Sequence, residues 1–262
     1  MNDYTTISVT REGEVDWLTL NRPERLNAID GTMVRELWSY FDGLQSDYGC
    51  RIVIMRGAGK AFCSGLDLIW FKSAPHDMPT GATDTGPGPS LADIVLKMRA
   101  CPQIIVALVQ GAACGGGFNF VLASDIRIAG RTAKMNVAFV KIGLSGCELG
   151  TSYFLPRMIG TSIAAELMMT GRFIHADRAL SAGLVSDVVD DDKLEDAARI
   201  LITDLLATSP IGLRKTKEVM MRAAEIEDLK SVIALEERTQ MACMEVAAFG
   251  QKVTNFGEAK IS

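Results

Sequence analysis

The chain has 262 residues, 48% of them hydrophobic, and a formal net charge of -5, which allows one large core or a main domain with a small helical annex. This composition excludes disorder of the whole chain, and an acidic balance without a basic cluster excludes the electrostatic footprint of a nucleic-acid binder. No uncharged apolar run approaches the roughly 18 to 20 residues that span a bilayer, so no membrane partner is expected.

Met1 leads into polar Asn2, Asp3, Tyr4, Thr5 and Thr6, without the basic start and apolar run of a secretory signal. A soluble, cytoplasmic protein is expected. Residues 5–9 and 15–20 are rich in β-branched and apolar side chains, with Gly13 between them, and predict a hairpin. Asp30 is placed as an N-cap, and Met33, Val34, Leu37, Trp38, Phe41 and Leu44 follow at helical spacing. Residues 52–55 form a short apolar strand that runs into the glycine-bearing loop 56–67. The pattern repeats: residues 104–109 predict a strand, Gly111 and Gly115 to Gly117 a turn, and the following stretch through Leu122 a helix. Between the two copies, residues 76–89 are crowded with Pro, Gly, Thr and Asp and predict a mobile loop that walls a pocket. From about Pro210 onward only helical periodicity remains, so the chain divides into a core of residues 1–207 and a helical region of residues 208–262.

The six cysteines (Cys50, Cys63, Cys101, Cys114, Cys147 and Cys243) have none of the spacings of zinc or redox motifs. With His76 and His175 as the only histidines, neither a His-based metal site nor a Ser-His-Asp triad is expected. Gly115-Gly116-Gly117 lacks both the spacing of a dinucleotide fingerprint and the lysine of a phosphate loop. Two glycine-bearing turns where strands meet helices can instead supply a pair of backbone N-H groups to one oxygen, an oxyanion hole. The same glycines serve equally well for close packing of chain on chain, and spacing alone leaves the two readings level.

Asn21-Arg22-Pro23 with Leu26-Asn27-Ala28, then Lys60-Ala61-Phe62-Cys63-Ser64-Gly65-Leu66-Asp67-Leu68, resembles the crotonase (enoyl-CoA hydratase and isomerase) superfamily. Gln110-Gly111-Ala112-Ala113-Cys114-Gly115-Gly116-Gly117, Ala123-Ser124-Asp125, Tyr153-Phe154-Leu155-Pro156-Arg157 and Ala182-Gly183-Leu184-Val185 continue the resemblance in order, over about residues 5–240. It implies an α/β fold, the ClpP-like spiral of repeated ββα turns, with a C-terminal helical region that packs trimers, commonly paired into hexamers (dimers of trimers). It also implies an acyl-CoA thioester substrate, with coenzyme A present only as part of that substrate and no permanently bound cofactor or metal. By position, the resemblance gives the oxyanion hole to the backbone N-H groups of Leu66 and Gly116. It places Leu26, Ala28, Ser64, Asp67 and Leu68 along the CoA, although Leu26 and Leu68 fit core packing equally and Asp67 fits a turn-holding role. Phe256-Gly257-Glu258-Ala259-Lys260 resembles the start of the family's last helix, which usually runs further and closes over CoA.

Two departures bear on the chemistry. Where the family's hydratases carry paired glutamates, this chain has Asn119 and Phe139, neither of which exchanges a proton near neutral pH. Glu148 stands close to the place of the catalytic aspartate in the superfamily's dienoyl-CoA isomerases, 4-chlorobenzoyl-CoA dehalogenases and 3-hydroxyisobutyryl-CoA hydrolases. Among apolar neighbours it suits proton transfer or the orienting of water, against the simpler role of an acid at the start of the helix near Gly150. Asn119 is open to orienting a water or a carbonyl, or to a purely structural use, and Phe139 to lining the acyl pocket or filling core. The expected activity is an enoyl-CoA hydratase or isomerase type reaction through an enolate, with Glu148 as acid or base. Thioester hydrolysis, or acyl-CoA binding without catalysis, is the alternative.

Overall fold

The computed structural model describes residues 4–74, 82–83, 86–87 and 89–245. Most of the expected loop 76–89, with His76, and residues 256–260 lie outside the described residues. The elements in chain order are β1 (Ile7–Glu12), β2 (Val15–Leu20), α1 (Gly31–Leu44), β3 (Ile52–Gly57), α2 (Leu68–Ser73), β4 (Ala82–Thr83), β5 (Gly86–Pro87) and α3 (Leu91–Ala100). They continue with β6 (Ile104–Val109), β7 (Ala112–Cys114), α4 (Gly116–Ala123), β8 (Ile126–Gly130), β9 (Lys134–Asn136), α5 (Thr151–Ile159), α6 (Thr161–Thr170), β10 (Ile174–His175), α7 (Ala176–Ser181) and β11 (Asp187–Val189). Helices α8 (Leu194–Ala207), α9 (Pro210–Ala223) and α10 (Leu229–Met244) close the described chain.

The chain forms two compact units, Met1–Leu201 and Ile202–Ser262, which divide within α8. In the first unit, β1 and β2 make the expected antiparallel hairpin at the edge of a six-stranded sheet ordered β1-β2-β3-β6-β8-β11. The other neighbours pair in parallel. A parallel strand covered on both faces carries a continuous apolar run, and all six residues of β6 are buried. A second sheet, β10-β9-β7, stands beside it.

Helix α1 begins where the Asp30 side chain accepts the Met33 N-H (2.9 Å), a side-chain cap. Its apolar stripe of Met33, Val34, Leu37, Phe41 and Leu44 is buried in the core, and the helix packs on α3. Every residue of α4 is buried, so this helix runs through the interior. The glycine segment expected as one continuous turn contains the strand β7. Three residues are too few to show a period, and the alternation that marks a strand was not there to read. The described residues of the second unit are largely helical, with α10 capped by the Asp228 side chain at Ser231 N (2.8 Å). No described helix is long and apolar enough to cross a membrane.

Candidate active site

After β3 the chain passes alongside β7. Phe62 N donates to the Gln110 carbonyl (2.8 Å), Cys63 N to the Ala112 carbonyl (3.0 Å), and Cys114 N to the Cys63 carbonyl (2.9 Å). Three residues on, Ile29 N donates to the Gly65 carbonyl (2.8 Å) and Asp67 N to the Ile29 carbonyl (2.9 Å), which is one parallel bridge between Ile29 and Leu66. In such a bridge the intervening residue turns its own polar groups to the opposite side. The Leu66 N-H therefore faces away from Ile29, and it has no hydrogen-bond partner among the described residues.

The second turn follows β7. Gly115 adopts φ 50° and ψ -120° ahead of α4, and its N-H donates to the Asn136 carbonyl (3.1 Å). Gly116 opens the helix, so its N-H has no acceptor within the helix, nor any partner among the described residues. The two turns touch: a Cβ on Gly65 would stand 2.8 Å from the Cys114 carbonyl oxygen, and one on Gly117 2.6 Å from Cys63 Cβ. Close packing and free amides, level readings from spacing, are both present. The surroundings of Gly116 are apolar, since a Cβ there would lie 3.0 Å from Ile29 Cδ1, 3.7 Å from Leu91 Cδ1 and 3.8 Å from Leu149 Cδ1. Phe139 is half-buried against the core, its ring 3.5 Å from the place of a Cβ on Gly115, so it both packs and borders this turn.

Glu148 lies in the turn before α5. Its side chain is exposed rather than enclosed by apolar neighbours, and the flanking Leu149 lies against Gly116, its Cδ1 3.8 Å from the place of a Cβ there. Helix α5 has Gly150 as N-cap and no side-chain cap, so Glu148 does not serve as a helix-start acid. Its carboxylate has no hydrogen bond or ion pair among the described residues. Asn119, 1% exposed, points its amide nitrogen at the Glu148 carbonyl (3.1 Å), the Leu149 carbonyl (3.0 Å) and Thr151 Oγ1 (2.9 Å).

The residues expected along the CoA fall into two groups. Leu26 and Ser64 are part-exposed and joined by the Ser64 N-H to the Leu26 carbonyl (3.0 Å). Leu26 lines a cleft of about 750 Å³ together with Lys60, Gln110 and Lys134. Leu68 is 50% exposed, so core packing is not its role. Ala28 is buried, and its carbonyl accepts from Arg22.

Asp67 is buried, caps α2 by accepting the Trp70 N-H (3.0 Å), and pairs with Arg22 (3.0 Å). Burial alone would raise its pKa, but the Trp70 N-H and the Arg22 guanidinium together hold it below the usual carboxylate value. This is the turn-holding role. Arg22 also reaches Asp30 (3.2 Å) and thereby ties the caps of α1 and α2. Asn27, at φ 55°, sends its amide nitrogen to the carbonyls of Ala58 (2.9 Å) and Ala61 (2.9 Å). Arg22 and Asn27 stand in the segment from Asn21 to Ala28, whose sequence alone assigns them no role. The signal was there in a cation and an amide set beside a turn, both suited to gripping carboxylates and carbonyls.

Burial pushes the Cys63 thiol up to about 12 and the Cys114 thiol up to about 11, so neither is a thiolate nucleophile at neutral pH. Among the described residues no cluster of His, Cys, Asp or Glu could hold a metal ion.

A parallel spiral core with two glycine turns and unpartnered amides defines the crotonase class. The model of the enoyl-CoA hydratase/isomerase family matches residues 10–261, and the chain belongs to that family. A Mycobacterium leprae (strain TN) protein described as "Probable enoyl-CoA hydratase echA12" is 34% identical over 232 residues, 87% of this chain and 78% of that protein. The mitochondrial Delta(3,5)-Delta(2,4)-dienoyl-CoA isomerase of Mus musculus is 35% identical over 226 residues, 82% of this chain and 68% of that one. The crystal structure of enoyl-CoA hydratase from Bacillus anthracis superimposes with a TM-score of 0.88 at 27% identity and covers 97% of both chains.

Proposed function

We propose that the protein isomerises an enoyl-CoA thioester by proton transfer through an enolate. The thioester oxygen sits between the N-H groups of Leu66 and Gly116, and Glu148 carries the proton. The observation that carries this reading is the pair of unpartnered main-chain N-H groups on two touching turns, set in apolar surroundings. Donors fixed before reaction, in a site that excludes water, stabilise developing negative charge without reorganising. In comparable holes the loss of one donor costs about 3 to 4 kcal/mol.

In this reaction the Glu148 carboxylate takes a proton from the carbon chain, and the C-H electron pair moves into the conjugated system. The resulting charge rests on the thioester oxygen, and the carboxyl returns the proton to a different carbon. Substrate and product have the same atoms, so no oxidant, cofactor or water is consumed. One carboxylate suffices for this traffic. Hydration calls for a group that activates water as well as one that protonates carbon, and the two positions that serve this in the family's hydratases hold Asn119 and Phe139 here. The exposed Glu148 carboxylate, unclaimed by any described partner, is available for the task. Leu26, Ser64 and Leu68 border the CoA portion in this reading, and Ile29, Leu91, Leu149 and Phe139 face the acyl group.

The test is turnover of 2-enoyl-CoA, 3-enoyl-CoA, a dienoyl-CoA and 3-hydroxyacyl-CoA by wild type and Glu148→Gln, with products identified by mass spectrometry. Double-bond migration with no gain of 18 mass units, lost about a hundredfold or more in the variant, supports isomerisation. A product heavier by one water assigns hydration instead. A variant as active as wild type removes Glu148 from the mechanism.

A further inference from the structure

The turn that carries Glu148 is held in a conformation that one of its residues, Leu149, resists. Leu149 has φ 49° and Gly150 φ 84°, two consecutive left-handed residues. For leucine that conformation is strained, because its Cβ crowds the following carbonyl oxygen, so the surrounding structure must impose it. The Asn119 amide nitrogen lies within hydrogen-bond distance of the Glu148 carbonyl, the Leu149 carbonyl and Thr151 Oγ1. Thr151 returns to the same point, its hydroxyl (2.7 Å) and its N-H (2.9 Å) both donating to the Glu148 carbonyl.

Asn119 is anchored in its turn. Its own N-H donates to the Gly115 carbonyl (3.0 Å), which places it one helical turn beyond Gly116 within α4. One short, wholly buried helix thus carries both the Gly116 amide and the hook that grips the Glu148 main chain. We infer that Asn119 is a positioning residue: it sets Glu148 relative to the Gly116 N-H and does not itself handle the substrate. This rests on the reading of Glu148 as the proton carrier. An amide suits the position because it donates at any pH, whereas an ionised aspartate would turn oxygen toward two carbonyls and repel them.

The test measures kcat and KM for Asn119→Ala, Glu148→Gln and the double variant, using the substrate that wild type turns over, with thermal melts of each. Asn119→Ala is expected to lower kcat about 10- to 100-fold, the scale of a displacement near 1 Å, with KM within about threefold. The double variant is expected to be no slower than Glu148→Gln alone, because a group that acts through another has nothing left to act on. Asn119→Asp should gain on wild type as the pH falls from about 8 to about 5, since the protonated carboxyl regains a donor.

Losses that multiply in the double variant would overturn the inference and place Asn119 against the substrate. Glu148→Gln at wild-type speed would instead sink the proton-carrier reading, and this inference with it. Should Asn119→Ala fail to fold, Thr151→Val removes a hydroxyl from the same network, and its loss of kcat must likewise vanish in the Glu148→Gln background.

Discussion

Gly117→Ala is the sharpest probe of how the two turns are held together. The added Cβ would stand 2.6 Å from Cys63 Cβ, 2.7 Å from its Sγ and closer still to its carbonyl oxygen. Cys63 cannot yield, since it is fully buried and fixed by hydrogen bonds to Ala112 and Cys114. Ordinary carbon contacts begin near 3.5 Å, so the chain must part by about 1 Å. Overpacking of this kind costs about 1 to 3 kcal/mol, and loss of the Cys63 bridge adds about 1 kcal/mol for each broken hydrogen bond.

With both bonds of the bridge lost, a total of about 3 to 5 kcal/mol corresponds to a fall in Tm of about 6 to 20 °C for a unit near 200 residues. Gly116→Ala is the matched control. Its Cβ comes no closer than 3.0 Å to any atom, the end of the Ile29 side chain, so a shift of a few tenths of an ångström suffices there where Gly117 needs about 1 Å, and alanine is the better helix former by about 1 kcal/mol. Its Tm should stay within about 3 °C of wild type. Circular dichroism melts at one fixed protein concentration decide the matter. A Gly117→Ala protein that melts with wild type would refute the contact between the turns.

Two further outcomes follow from the cation that ties the helix caps. Asp67→Asn keeps an oxygen for the Trp70 N-H but loses the charge that faces Arg22, and should cost about 1.5 kcal/mol at pH 7. Because the folded pKa of Asp67 is depressed, this stabilisation is present above the unfolded value near 4 and is lost as the pH falls through the folded value. Urea melts of the pair at neutral and acid pH should therefore converge, and a gap that persists in acid would contradict the assignment. Arg22→Met should cost about 3 kcal/mol in the same melts, since it leaves Asp30 and Asp67 without their shared cation. A loss below about 0.5 kcal/mol would mark the bridge as incidental.

Strands with a full apolar run, such as residues 104–109, and helices with a clear stripe, such as α1, could be read from their periodicity alone. The three residues of β7 could not. What gives β7 its partners is the pairing with β9 and the single bridge to Cys63, contacts from distant parts of the chain. For the site, spacing brought forward the glycines but could not tell packing from donation. That distinction depends on which N-H groups are left over once all others are paired. Glu148 was visible as an acid among apolar residues, yet neither its exposure nor the left-handed backbone of Leu149 beside it is marked by any local pattern. Asn119 looked like a lost acid, and its tie to the Glu148 turn spans 29 positions of the chain.

The bridges that orient the two amides join Ile29 to Leu66 and Cys63 to Ala113, pairs far apart along the chain. Closing loops of this length costs chain entropy before the contacts reward it. The site therefore has no partly built form: a chain with its helices in place but these bridges unmade has no pair of donors at all. Recovered turnover during refolding would then trail the return of helical signal, and activity would report the last contacts to close rather than the first.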